Sequence, residues 1–194
     1  LQREGALKYS LAGGKYRDSD NGEEPGFGQA TVIYGMPHGI TLYGGALDAS
    51  IYRAGLVGAG ADLGELGSVS VDVTAARTQF DDGRGNANGL SWRAQYSKDF
   101  SATDTTVTLA SYRYSTSGFY TFQEALDQRD RGEDDGIYNY RKTNNRRSRL
   151  QLSMSQSLGS VGSVYINGYQ QDYWDMSGHE RSASMGFSSS WQDI

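Results

Sequence analysis

Apolar and polar residues alternate with a period of two through most of the chain, the spacing of half-buried strands and not of helices. From Ser68 to Arg77, Val69, Val71, Val73 and Ala75 fall on one face, against Ser68, Ser70, Asp72 and Thr74 on the other. Leu90, Trp92, Ala94 and Tyr96 oppose Ser91, Arg93, Gln95 and Ser97 in the same way. Leu150, Leu152 and Met154 oppose Gln151, Ser153 and Ser155. Near the end, Ala183, Met185, Phe187 and Trp191 alternate with serines. Such runs predict ten strands, near 5–16, 28–36, 40–48, 51–61, 67–78, 88–98, 105–116, 146–157, 162–173 and 181–191. Most are long beside the usual strand of about 5–6 residues and match the roughly 9–11 that a tilted strand needs to cross a bilayer.

The connections alternate as well. Short ones at 37–39, 62–66, 98–104 and 159–162 interleave with longer polar ones at 17–27, 79–87, 117–145 and 174–180. The tight Ala49-Ser50 link is the exception in the second set. Consecutive hairpins put every second connection at the same end, so one end carries turns and the other loops, as in outer-membrane barrels. A soluble sandwich alternates too, burying its apolar face against a second sheet, and a soluble or surface all-β adhesin-like binding domain is the competing expectation. The polar face suits a wet lumen, with Asp72, Arg93, Gln95, Gln151 and Ser153 as candidate lining residues. Aromatics near the strand ends (Tyr9, Tyr16, Tyr34, Tyr43, Tyr112, Tyr114, Tyr173, Trp174 and Trp191) are candidates for interfacial girdles.

Composition sharpens this picture. Among 194 residues there are 26 glycines, 14 tyrosines, two prolines and no cysteine. Without cysteine, a disulfide scaffold and a thiolate zinc site are excluded. The two histidines, His38 and His179, fall at opposite ends of the strand pattern, and neither lies near a nucleophile-elbow motif. An outer-membrane hydrolase built on them is a third, weaker expectation. A net charge of −5 argues against nucleic acid held by bulk charge. The chain opens without methionine or an apolar leader and stops straight after a strand-like run, so a fragment of something longer is expected.

Particular stretches are more specific than the pattern. Residues Arg3 to Arg17 (REGALKYSLAGGKYR) resemble the segment that resumes the barrel after the plug domain in fimbrial outer-membrane ushers. Tyr34 to Gly45 (YGMPHGITLYGG) is similar to the ushers' "YGLP-G-TLYGG" hairpin. Tyr112 to Phe122 (YRYSTSGFYTF) resembles their "YRYSTSGY-F" segment, and Arg149 to Gly159 and Tyr165 to Trp174 are similar to two later strands. These stretches follow the family's order along nearly the whole chain.

The resemblance implies an all-β, antiparallel up-and-down transmembrane β-barrel segment, about ten strands of a larger usher barrel. It implies that 1–194 is a partial translocation-pore domain, with the plug and the amino- and carboxy-terminal periplasmic domains outside this chain. It implies a bacterial outer-membrane pore of the chaperone–usher pathway. Such a pore secretes and assembles chaperone-delivered pilus subunits without catalytic residues, cofactor or metal. Its partners would be pilus subunits, periplasmic chaperone–subunit complexes and outer-membrane lipid, with no nucleic acid.

Other motifs weigh little. Gly58, Gly60 and Gly64 miss the dinucleotide spacing by one residue, and the run from Gly67 onward reads as a strand where a helix would be needed. Asp18 to Gly22 begins like a calcium loop, but Glu23 and Gln29 occupy positions that need glycine and glutamate. The basic run Arg141, Lys142, Arg146, Arg147 and Arg149 is expected to meet lipid headgroups or the acidic stretch 127–135. Phe119, Phe122, Ala125 and Leu126 have helical spacing, which predicts a short helix that caps the barrel or rests on its wall, with gating as its functional reading.

Overall fold

The computed structural model describes residues 1–15, 26–80, 85–100, 103, 105–130, 146–174 and 177–189. Ten strands form one antiparallel sheet in sequence order: β1 (Leu7–Lys15), β2 (Gly26–Gly35), β3 (Ile40–Ala49), β4 (Tyr52–Asp62), β5 (Ser68–Phe80), β6 (Gly85–Phe100), β7 (Thr105–Ser115), β8 (Arg146–Ser157), β9 (Ser163–Tyr173) and β10 (His179–Ser188). Each follows the period-two runs closely. Among the described residues β1 is hydrogen-bonded to β2 alone and β10 to β9 alone.

Residues directly opposite in neighbouring strands share a face, so the register carries one face across the whole sheet. One face holds Tyr9, Val32, Leu42, Val57, Val71, Trp92, Tyr112, Leu152 and Met185, all exposed. Val71, Trp92 and Leu152 keep 54%, 40% and 50% of their surface open, and among the described residues no second sheet lies upon them. The soluble-sandwich expectation required those side chains to be covered. The opposite face carries hydroxyls, amides and charges.

The apolar band does not stay level. A line of direct pairs runs Ile40–Ala61–Val69–Tyr96, then through Leu152–Gly168–Ala183. In β3 the apolar side of the strand extends from this line toward the long connections (Leu42, Ala46). In β10 it extends the other way (Met185, Phe187). This slippage is the stagger required of strands tilted within a barrel wall.

Two of the tight turns are copies of one motif. Leu63-Gly64-Glu65-Leu66-Gly67 and Leu158-Gly159-Ser160-Val161-Gly162 each make one turn of 3₁₀ helix, with the leucine N–H donating to the last glycine carbonyl at 2.8 Å. Both glycines of each copy have positive φ, which other residues adopt at a cost. The turn at 37–39 uses His38 (φ 63°) and Gly39 (φ 71°).

At the opposite end a helix, α1 (Phe122–Asp130), folds back onto the hydroxyl-and-amide face. Its start is a reciprocal capping box: Glu124 N–H donates to Thr121 Oγ1 at 3.3 Å, and Thr121 N–H donates to the Glu124 carboxylate at 2.8 Å. Nine residues are too few for a stable isolated helix. Packing supplies the rest. Phe119, Ala125 and Leu126 bury against Ala49, Ile51, Tyr52 and Ala76, with Phe122 against Phe27 and Tyr52. The Tyr52 hydroxyl donates to the Tyr120 carbonyl at 3.1 Å. The approach is close enough that a Cβ on Gly89 would lie 2.1 Å from the Phe119 nitrogen, and one on Gly118 2.2 Å from the Asn88 carbonyl oxygen. Only glycine fits at that crossing.

Candidate pore wall

The five residues singled out in the sequence lie on one face, opposite Val71, Trp92 and Leu152. Asp72 and Arg93 are direct cross-strand partners. Gln95 and Gln151 share a line of pairs through Ser111. Ser153 stands opposite Asn167 on β9. They do not converge on a pocket; they are spread over the sheet as parts of a surface.

Register adds a feature that alternation alone did not reveal. One line of direct pairs reads Tyr43–Gly58–Asp72–Arg93–Arg113–Arg149–Gln171–Glu180, crossing eight strands. Asp72 is buried, and its Oδ2 accepts from Arg93 Nε at 2.9 Å, Arg93 Nη2 at 2.8 Å and the Tyr43 hydroxyl at 3.1 Å. The Tyr43 ring lies over Gly58, filling the space that its missing side chain leaves. At the other end Glu180 accepts from the hydroxyls of Tyr169 at 2.8 Å and Tyr173 at 2.6 Å.

Between these two carboxylates stand three arginines on adjacent strands. Like charges directly opposite one another are destabilising unless something offsets them. Arg93 has Asp72, and Arg149 lies over the Tyr169 ring at 4.9 Å. Arg113 faces the Phe119 ring at 6.0 Å. The Nε atoms of Arg113 and Arg149 are buried without a hydrogen-bond partner among the described residues. Glu124 on α1 is 3.5 Å from Arg146 and lines a small cleft with Arg113 and Arg149.

Several expectations need correction. Tyr43 and Tyr173 do not face outward with the apolar band; both turn to the polar face and bind Asp72 and Glu180. Strand-end position made them girdle candidates, but their parity puts them on the wrong side. The apolar face does carry an aromatic run, with Trp92–Tyr114 centroids 5.9 Å apart and Tyr114–Trp174 6.2 Å apart. Arg149 belongs to the polar face and not to a headgroup cluster, while Arg147 lies over Trp174 at 5.0 Å and Arg146 pairs with Glu124. Tyr16, Trp191, Arg141, Lys142, most of the acidic stretch 127–135 and the calcium-like run at 18–22 lie outside the described residues.

The two histidines stand far apart. His38 stands in a tight turn, and His179 Nδ1 is 2.8 Å from Asp172 Oδ1 on the exposed rim at the other end. Among the described residues no three histidine, aspartate or glutamate side chains are grouped to hold a metal ion.

Comparison with known proteins agrees along the full length. The family model described as "Outer membrane usher protein" matches residues 1–194. The probable outer membrane usher protein LpfC′ of Escherichia coli O157:H7 is 46% identical over 189 residues, covering 96% of this chain and 37% of that protein. The outer membrane usher protein LpfC of Salmonella typhimurium is 45% identical over 188 residues, covering 96% of this chain and 22% of that one. Among solved structures, the translocation pore of the P pilus usher PapC superposes with a TM-score of 0.75 at 27% identity, over 95% of this chain and 35% of that one. A P pilus tip assembly intermediate, PapC-PapD-PapK-PapG from E. coli, superposes at 0.71 with 30% identity, over 91% of this chain and 21% of that one. The chain thus spans between about a fifth and just over a third of these relatives. A staggered sheet, greasy on one side and hydrophilic on the other, is what such a pore requires of its wall, and this chain belongs to the outer membrane usher family.

Proposed function

We propose that this segment forms part of the wall of an outer-membrane pore that secretes and assembles pilus subunits delivered by a periplasmic chaperone. The observation that carries the reading is the two-faced sheet: an exposed apolar band for hydrocarbon, and on the reverse a field of hydroxyls, amides and paired charges for water and cargo. In this reading residues 1–194 belong to the barrel domain, and the plug and periplasmic domains belong to other parts of the whole protein. Asp72, Arg93, Gln95, Gln151 and Ser153 line the lumen. A folded subunit sliding past such a wall meets many weak polar contacts and no apolar trap. Donor-strand exchange between subunits can drive the process, so the wall needs no catalytic residue and no cofactor.

This segment has no cysteine, so single thiols placed in it serve as reporters once any cysteines elsewhere in the complete protein are replaced. In the complete protein, Gln151→Cys and Ser153→Cys are expected to cross-link to a pilus subunit in transit when a short thiol-reactive bifunctional reagent is added. Leu152→Cys, on the reverse face, is expected to give no adduct. Adducts from Leu152→Cys and none from its two neighbours would overturn the assignment.

The position of α1 supports a gating role for it. It rests on the lumen side of the wall at the loop end, anchored by a compact apolar cluster and by the Glu124–Arg146 pair. Deleting residues 119–131 from the complete protein is expected to raise channel conductance in planar bilayers severalfold. Unchanged conductance would remove α1 from the gate.

A further inference from the structure

The apolar face ends abruptly at the loop end of β3 to β6. Above Ala46, Gly55, Ala75 and Leu90, the next line of direct pairs reads Asp48–Arg53–Arg77–Asn88. Arg53 and Arg77 are therefore direct cross-strand neighbours on the outward side. Asp48 bonds Arg53 at 2.5 Å with both side chains mostly exposed. Arg77 has no hydrogen-bond or ion-pair partner among the described residues. The hairpin beside them, at Ala49 to Tyr52, joins its strands through two residues, so β3 and β4 carry no long loop above the pair. Beneath it lies a shallow outward depression of about 830 Å³, floored by Ala46, Gly55 and Ala75 and rimmed by Arg53, Arg77 and Asn88.

We propose that this rim binds the phosphorylated glycolipid of the outer leaflet, with a phosphate bridging Arg53 and Arg77 and an acyl chain lying in the depression below. Two guanidiniums held side by side repel one another, and a phosphate accepting from both turns that repulsion into attraction. The planar forks suit bidentate binding of phosphate oxygens, and the Asn88 amide adds a neutral donor. A free phosphate ion would use the same arginines. The depression favours the lipid, because it runs from the charged pair straight into the band that faces hydrocarbon.

The proposal rests on the pore reading, with the loop end outside as in outer-membrane barrels, and one set of variants separates the two. The complete protein in nonionic detergent is titrated with diphosphorylated hexa-acyl lipid A and followed by native mass spectrometry. Wild type is expected to bind it, and the double variant R53Q/R77Q to bind at least tenfold more weakly. D48N, which releases Arg53 from its carboxylate, is expected to bind severalfold more tightly. That opposite sign cannot come from misfolding, and heat-modifiable gel mobility checks the fold of each variant. Dephosphorylated lipid A is expected to bind no better than lipid A binds the double variant, and millimolar inorganic phosphate to leave lipid A binding unchanged. Equal binding by wild type and R53Q/R77Q, or equal binding of the dephosphorylated lipid, overturns the proposal. So does full displacement by inorganic phosphate, which marks a site for the free anion. Pilus secretion by all three proteins is expected to be normal; lost secretion with intact lipid binding would count against the pore reading instead.

Discussion

Arginine in place of Val71 is expected to destabilise the folded barrel by about 2–4 kcal/mol, the range for a cation on the lipid side near mid-membrane. Val71 lies within the apolar face, between Val69 and Val73 along its strand and opposite Ala59 and Ala94 on its neighbours. The guanidinium would have to reach past these to find water. On the adjacent Ser70 the same substitution is expected to cost under about 1 kcal/mol, because lumen-side changes leave hydration intact. Urea unfolding of the complete protein in lipid vesicles, followed by tryptophan fluorescence, measures both. Equal penalties at positions 70 and 71 would mean that the two faces see the same medium, and the pore would be lost with that result.

Asp72→Ala is expected to be the most damaging change on the lumen side. The carboxylate is buried and accepts three hydrogen bonds, two from Arg93 and one from Tyr43. Removing it leaves Arg93 beside Arg113 with no counter-charge. Breaking a buried pair commonly costs about 3–5 kcal/mol, and because Arg93 is partly solvated a loss of about 2 kcal/mol is expected here. The double variant D72A/R93L should recover part of that loss, since the uncompensated charge goes too. A thermodynamic cycle on the same urea assay isolates the coupling. Additive losses, with no recovery, would mean that the pair is incidental.

The strands and their faces were legible because period-two alternation is imposed wherever one side of a sheet meets hydrocarbon or core. Val69 to Ala75 and Leu90 to Tyr96 announced their orientation residue by residue. Register was not legible. It depends on turn geometry and on irregularities such as those between Tyr96 and Ser97 and between Arg146 and Ser148, which shift pairing without disturbing the pattern. The arginine line from Arg93 to Arg149 therefore went unseen, although the parity of Arg113 between Tyr112 and Tyr114 already gave its side. Tyr43 and Tyr173 depart from the girdle expectation for a related reason: nearness to a strand end says nothing about facing, whereas counting from the apolar Leu42 and Ile166 puts both on the opposite face. The helix was visible in the spacing of Phe119 to Leu126. Its capping box, Thr121-Phe122-Gln123-Glu124, was present in the sequence as an unread start signal.

Every strand of the sheet pairs with its immediate successor in sequence, and this has a kinetic consequence. Such a topology can zip up one hairpin after another, each closure bringing together partners already tethered by a few residues. The junction between β7 and β8 breaks that rhythm, because residues 116–145 intervene and α1 must form within them. Closing that span costs about 2 kcal/mol more in chain entropy than closing a two-residue link. The junction thus divides the ribbon into a block of seven strands and a block of three that joins it late, and because the apolar seat of the helix lies on β2 to β5, the helix can dock on the first block before the second arrives, leaving the Glu124–Arg146 pair to close last.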